Sequence, residues 1–268
     1  MPLAHTAADE AAVVARLRAA GCVFAEEEAA LLLAEAATPA ALERMLTQRV
    51  DGTPLEHVLG WAAFSGLRIQ VDPGVFVPRR RTEFLVEQAI TLASGWAAPV
   101  VVDLCCGSGA LGAAFVAGFA GTAKVFAADI DAASVACARR NLDPARVYQG
   151  DLYDALPTAL RGRVQLLLAN TPYVPSDAIA TMPREARLHE GTAALDGGRD
   201  GLDVQRRVAS GARDWLAPGG HLLVEAGDDQ APVAAAIFEH AGLTARIVSS
   251  EEWDATVVIG TAGTGENR

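Results

Sequence analysis

An α/β fold is predicted for this 268-residue chain: a seven-stranded, mostly parallel sheet with helices on both faces, behind a small helical domain. Three observations predict it. After Pro99, short apolar runs alternate with helix-length segments, the βαβ rhythm of a parallel sheet. Several of those runs end on Asp or Asn followed by a turn, the polar strand ends that such sheets present to ligands. The last two runs are joined by only Glu251-Glu252-Trp253-Asp254, too short for a crossover helix, so they should pair antiparallel.

The elements follow in order. Residues 8–50 read as three helices. Asp9-Glu10 opens the first, Val13, Val14 and Leu17 give it an apolar stripe, and Gly21 ends it. The second spans 26–37. The third has Thr38 as N-cap and Pro39 at N1, runs to about 49, and stops at Asp51-Gly52. Residues 64–71, the turn Asp72-Pro73-Gly74 and residues 75–77 read as a hairpin-like connector. A helix from Thr82, taken as its N-cap, carries Leu85, Val86, Ala89 and Ile90. Strands are expected at 100–104, 124–130, 146–149, 164–169, 221–225, 244–249 and 256–260, with helices at 109–120, 131–141, 200–216 and 228–241. This divides the chain into a helical domain (1–60), a connector (61–81) and the α/β domain (82–268), with a frayed tail from 261.

Composition narrows the function. At 51% hydrophobic residues the chain has ample material for a core. No apolar run approaches the roughly 18 residues of a membrane span, and the start lacks a basic segment followed by an apolar one, so a cytoplasmic location is expected. The net charge of −11 argues against affinity built on nucleic-acid phosphates, leaves room for a local basic patch at Arg79-Arg80-Arg81, and suits a soluble monomer. Cys22, Cys105, Cys106 and Cys137 form no C-x2-C pair, so neither a disulfide framework nor a structural zinc site is expected.

The strand ends carry the chemistry. Asp103-Leu104-Cys105-Cys106-Gly107-Ser108-Gly109 is a strand end, a glycine-bearing turn and a helix start. A carboxylate beside such a turn repels a pyrophosphate and attracts an ammonium or sulfonium, and no phosphate-cradling G-x4-G-K-[S/T] loop is present. Asp129, followed by Ile130, ends the second strand where a ribose diol would be held, and Asp131 reads as a helix N-cap. Asp151 ends the third strand, placed to accept from an exocyclic amine, with Leu152 against the ring. The fourth ends Asn170-Thr171-Pro172-Tyr173. There an Asn carbonyl and the next backbone carbonyl can hold one planar NH2 group while an aromatic ring stacks on it.

These residues, with Leu195-Asp-Gly-Gly-Arg-Asp-Gly-Leu202, the stretch 71–79 with Thr82-Glu83, and Leu222-Leu-Val-Glu225-Ala-Gly227 with Gln230, resemble class I S-adenosylmethionine-dependent methyltransferases of the HemK/PrmC type. The resemblance covers about 54–260. It implies a Rossmann-like fold, S-adenosyl-L-methionine as cofactor and a protein substrate, with transfer to the N5 amide of a glutamine in the Gly-Gly-Gln motif of peptide-chain release factors. It implies Asp103, Leu104, Cys105, Cys106, Gly107 and Gly109 around the methionine moiety, Asp129 and Ile130 at the ribose, and Asp151 and Leu152 at adenine. Asn170 would orient the amide and border the donor methyl, and Thr171, Pro172 and Tyr173 would complete the substrate slot. Pro78, Arg79, Thr82 and Glu83 would wall the pocket.

The chain departs from the family in three places. Thr171 replaces the first proline of Asn-Pro-Pro-Tyr, a preorganisation cost of about 0.4–1 kcal/mol. Cys105 and Cys106 stand where the family has Gly and Thr, which implies that position 105 needs no positive φ. Glu190-Gly191 replaces Glu-Pro. A divergent paralogue is expected, with His189 a weak candidate base. The alternatives are an N6-adenine-type nucleic-acid methyltransferase, a small-molecule amine methyltransferase and a non-catalytic cofactor-binding module.

Overall fold

The computed structural model describes residues 6–182 and 184–264. Helices α1 (Ala7–Ala19), α2 (Ala25–Glu35) and α3 (Pro39–Val50) are followed by a short α4 (Leu55–Leu59) that the sequence reading missed. Thr6 and Asp9 form a reciprocal capping box on α1, so this helix starts before the acidic pair taken to open it. Thr38 caps α3 with Pro39 at N1, as expected. Leu17, Leu32, Leu33 and Leu46 meet in a small core shared by α1, α2 and α3.

The connector is a hairpin, but its turn lies elsewhere than predicted. Strands β1 (Trp61–Phe64) and β2 (Leu67–Gln70) pair antiparallel through Ser65-Gly66. Both turn residues have positive φ, 48° and 74°, which matches the strand twist. Pro73-Gly74 instead bends the chain after the hairpin. Residues 75–77 form no strand there, and Gly74 bridges Glu190. Thr82 holds the N-cap position of α5 (Glu83–Ala93) as expected, but it also ends a 3-10 turn, Arg80–Thr82, and its hydroxyl makes no cap bond.

The α/β unit follows in the predicted order, with one helix more: β3 (Val100–Leu104), α6 (Ala110–Gly118), β4 (Lys124–Asp129), α7 (Ala132–Asn141), β5 (Val147–Gln149), β6 (Val164–Ala169), α8 (Arg184–His189), α9 (Asp203–Trp215), β7 (Leu216–Ala226), α10 (Ala231–His240), β8 (Thr244–Ser250) and β9 (Ala255–Thr261). The helix that was not predicted is α8. Among the described residues the sheet has seven strands, ordered β5-β4-β3-β6-β7-β9-β8, antiparallel only where β9 meets β7 and β8. Its residues alternate between two cores. Val101, Leu166, Leu168 and Leu223 pack beneath α5 and α6, while Val102, Leu167, Leu222 and Val224 pack beneath α9 and α10. The end of β9 is better held than predicted: Ala262 donates to the Gly220 carbonyl at 2.9 Å. The rest of the expected frayed tail, 265–268, lies outside the described residues.

Strand order makes the site. The chain leaves β3 towards β4 and β5 on one side, and β6 and β7 lie on the other, so the order reverses between β3 and β6. Ligands bind at that reversal, beyond the carboxyl ends of the strands. Leu104 is in register with Ala169, so Cys105 and Asn170 leave the sheet side by side.

Candidate active site

A cavity of about 950 Å³ opens at this switch point. Its wall includes the turn Cys105-Cys106-Gly107-Ser108, the acidic ends Asp129, Asp131 and Asp151 with Ile130 and Leu152, and the tetrapeptide Asn170–Tyr173. Pro78, Arg79, Arg81 and Thr82 close it from the connector side.

Three predicted cofactor residues stand behind the wall instead of in it. Asp103 and Leu104 are fully buried, and Gly109 packs its backbone against Leu142. Asp103 accepts from the Gly112 N–H at 3.0 Å, in the first turn of α6. Desolvation pushes its carboxyl up to about 8, with Asp129 adding to the rise. Asp103 therefore tethers the turn to the helix. Glu83, expected in the wall, is absent from it, and Arg81 takes part instead.

The turn itself overturns one expectation. Cys105 sits at φ 54°, the left-handed region that L residues enter at a cost of about 1–2 kcal/mol. Position 105 thus holds a backbone conformation that a glycine would adopt freely, and Cys105 bears its cost. Burial raises both thiols above their usual range, so Cys105 and Cys106 are neutral wall groups.

Asp129 is held by backbone. Its Oδ2 accepts from Gly107 N at 2.8 Å and its Oδ1 from Asp131 N at 2.9 Å. Each oxygen keeps acceptor capacity for a diol. Burial raises its carboxyl above the normal range, and a cation nearby would relieve that cost. Asp131 caps α7 through Ser134, as predicted. Asp151 is paired with Arg207 at 2.6 Å, a cavity-lining partner 56 residues away that no local sequence signal marks.

At the other half of the cavity, Asn170 Oδ1 is buried and accepts nothing from the protein among the described residues. The Tyr173 hydroxyl donates to Glu225 Oε1 at 3.0 Å and accepts from Arg81, whose Nε bonds the same carboxylate oxygen at 3.0 Å. Burial and Glu225 hold the phenol above its usual range, so it stays protonated. The Tyr173 carbonyl is bound by Gln230 at 2.9 Å, and Val174 pairs with the Leu195 loop. Arg79 bonds the buried Glu190 at 2.6 Å, and Arg80 lies over Trp253, so the expected basic patch is largely engaged within the fold. His189 sits on α8, not in a loop, and is not among the cavity-lining residues.

This arrangement fits S-adenosylmethionine. A diol acceptor, a glycine-bearing turn and acidic strand ends share a wall with an unpaired amide acceptor. Among the described residues no His, Cys, Asp and Glu group is arranged to hold a metal, and no helix is long and apolar enough to cross a membrane.

Comparison with known proteins agrees. The Methyltransferase small domain family matches residues 66–200. The chain is 36% identical over 207 residues to a release factor glutamine methyltransferase of Geobacter sulfurreducens, covering 76% of this chain and 71% of that one. It is 38% identical over 202 residues to a 4-amino-L-phenylalanine/4-methylamino-L-phenylalanine methyltransferase of Streptomyces pristinaespiralis, covering 73% and 68%. Among solved structures, a methyltransferase from Pyrococcus furiosus shares the fold with a TM-score of 0.53 at 18% identity, covering 74% and 90% of the two chains.

Proposed function

The chain belongs to the release factor glutamine methyltransferase family, and from that premise we propose that it methylates the side-chain amide nitrogen of the glutamine in the Gly-Gly-Gln motif of a peptide-chain release factor. The cofactor is S-adenosylmethionine and the substrate a protein. The observation that carries the reading is the buried, unpaired Asn170 Oδ1 in the cavity wall shared with Gly107 and Asp129.

When bound, S-adenosylmethionine supplies an electrophilic methyl group on a sulfonium. The protein's part is to hold a poor nucleophile in place. Asn170 Oδ1 and the Thr171 carbonyl accept the two amide protons, which aims the nitrogen lone pair and stabilises the positive charge that grows on nitrogen. The Tyr173 ring, anchored by Glu225 and Arg81, forms a flat wall for the amide. Asp129 would hold the ribose, and Asp151, oriented by Arg207, would hold the adenine amine. Tyr173 and both thiols are protonated and do not serve as a general base; the amide proton leaves to water.

The test is mass spectrometry of release factors incubated with enzyme and cofactor. The expected product is a single methyl on the Gly-Gly-Gln glutamine. An unmodified glutamine under conditions that consume cofactor on another substrate refutes the assignment. The 38% identity to the amino-phenylalanine methyltransferase favours a second reading, methylation of a primary aromatic amine on a free amino acid. Assaying 4-amino-L-phenylalanine in parallel separates the two.

A further inference from the structure

Thr171 is where this chain differs from the Asn-Pro-Pro-Tyr pattern it resembles, and it carries a hydroxyl where proline has none. Its side chain is buried, at 1% exposure, in a residue that lines the cavity. Its Oγ1 has no hydrogen-bond partner among the described residues. A buried hydroxyl left unpaired costs about 1–3 kcal/mol in the free protein, so a partner supplied by a ligand would recover that cost.

The chemistry of the slot says which ligand group that is. Asn170 Oδ1 is a pure acceptor and suits an NH2 group. A carboxamide carries a carbonyl oxygen on the same carbon as its NH2, and that oxygen needs a donor beside the acceptor. The guanidinium groups of Arg79 and Arg81, the charged donors of the connector wall, are engaged with Glu190, Glu225 and the Tyr173 hydroxyl. Among the described residues, Thr171 and Thr82 are wall residues whose buried hydroxyls are unpaired. Thr171 adjoins Asn170 in the chain and belongs to the same strand exit, so it stays with the acceptor whatever the connector does.

We propose that the Thr171 hydroxyl donates to the carbonyl oxygen of the substrate carboxamide and is a specificity-determining residue for carboxamides over aromatic amines. An aromatic amine presents the NH2 but no carbonyl oxygen, so it would leave the hydroxyl unpaired. A site built to bond a substrate group discriminates strongly against analogues that lack it. The proposal rests on the glutamine reading given above.

The experiment compares the parent with Thr171→Val, Thr171→Ser and Thr82→Val. Steady-state kinetics are measured on a Gly-Gly-Gln release-factor domain, and thermal melting on the enzyme without ligands. Thr171→Val keeps the shape and removes the hydroxyl. Its kcat/KM on the carboxamide is expected to fall about 10–100-fold, with Thr171→Ser within about threefold of the parent because the donor is retained. Its melting temperature is expected to rise by a few degrees, since an unpaired polar group has been removed. The proposal is overturned if Thr171→Val keeps its kcat/KM, if the serine and valine variants fall alike, if Thr82→Val alone shows the loss, or if Thr171→Val melts lower. The melting comparison needs no substrate and judges the hydroxyl itself. A parent enzyme that leaves the glutamine unmethylated refutes the glutamine reading and with it this role.

Discussion

Gly201→Ala should disable the substrate slot without changing the identity of any residue in it. Gly201 has φ 78°, and a Cβ there would sit 2.2 Å from the Tyr173 carbonyl oxygen and 2.4 Å from Gln230 Nε2. Carbon–oxygen contacts normally lie near about 3.3–3.6 Å, so something must open by about 1 Å. The loop that carries Gly201 is tied to the tetrapeptide through Gln230, which bonds both Tyr173 O at 2.9 Å and Asp200 O at 3.0 Å. The relief therefore falls on the Tyr173 peptide and the Gln230 clamp. The φ cost is about 1–2 kcal/mol and the broken hydrogen bond about 0.5–1.5 kcal/mol. Together they amount to about 2–3 kcal/mol, or a melting temperature roughly 5–10 °C lower for a chain of this size. Displacing the slot by about 1 Å should cost on the order of 100-fold in kcat/KM. Gly162→Ala is the control. It has φ 67° and nothing within 4 Å of the added Cβ, so it carries the backbone cost alone. Differential scanning fluorimetry and methyl-transfer kinetics on both variants decide the matter. Equal, small activity losses in the two variants would refute the claim that the 195–201 loop positions Tyr173.

Asn170→Ala should lower kcat by about 100-fold or more while changing cofactor affinity by less than about threefold, as read by calorimetry beside kinetics; parallel losses would remove Asn170 from substrate positioning. Arg81→Met leaves Glu225, at 3% exposure, as a buried carboxylate whose charge partner is gone, and should lower the melting temperature by several degrees. The double variant with Glu225→Gln should recover most of that stability but not the activity, because Tyr173 lacks the Arg81 hydrogen bond in both. Asp103 has a folded value of about 8 against about 3.9 unfolded. Between those values the folded protein keeps a proton that the unfolded chain releases, so this group's contribution falls as pH rises from about 4 to about 8 and is level beyond. Asp103→Asn should remove that slope, at most about 1.4 kcal/mol per pH unit, in urea unfolding across the window.

Much of the fold was legible because it is written locally. Apolar runs of strand length marked β3, β4, β6 and β9 to within a residue or two, and Thr38-Pro39 marked the start of α3. The site was legible wherever a strand end carries its own chemistry, as at Asp129 and Asn170. Turn chemistry was less so. Pro73-Gly74 drew the hairpin prediction, although Ser65-Gly66 supplies the pair of positive φ angles that the twist requires. Thr82 resembled a cap, but a 3-10 turn carried the chain into α5 before its hydroxyl could serve.

The amino-acid order alone determined which residues arrive at the carboxyl edge of the sheet, since period-two burial and strand length are properties of short segments. It could not determine what those residues meet. Arg81 and Glu225 stand 144 residues apart, Asp151 and Arg207 56 apart, and Tyr173 and Glu225 52 apart. Their pairing depends on the strand order around the switch point, which no local pattern encodes. The same holds for Asp103, where burial behind the turn, and not its place in a motif, decided that it tethers α6 instead of facing the cavity.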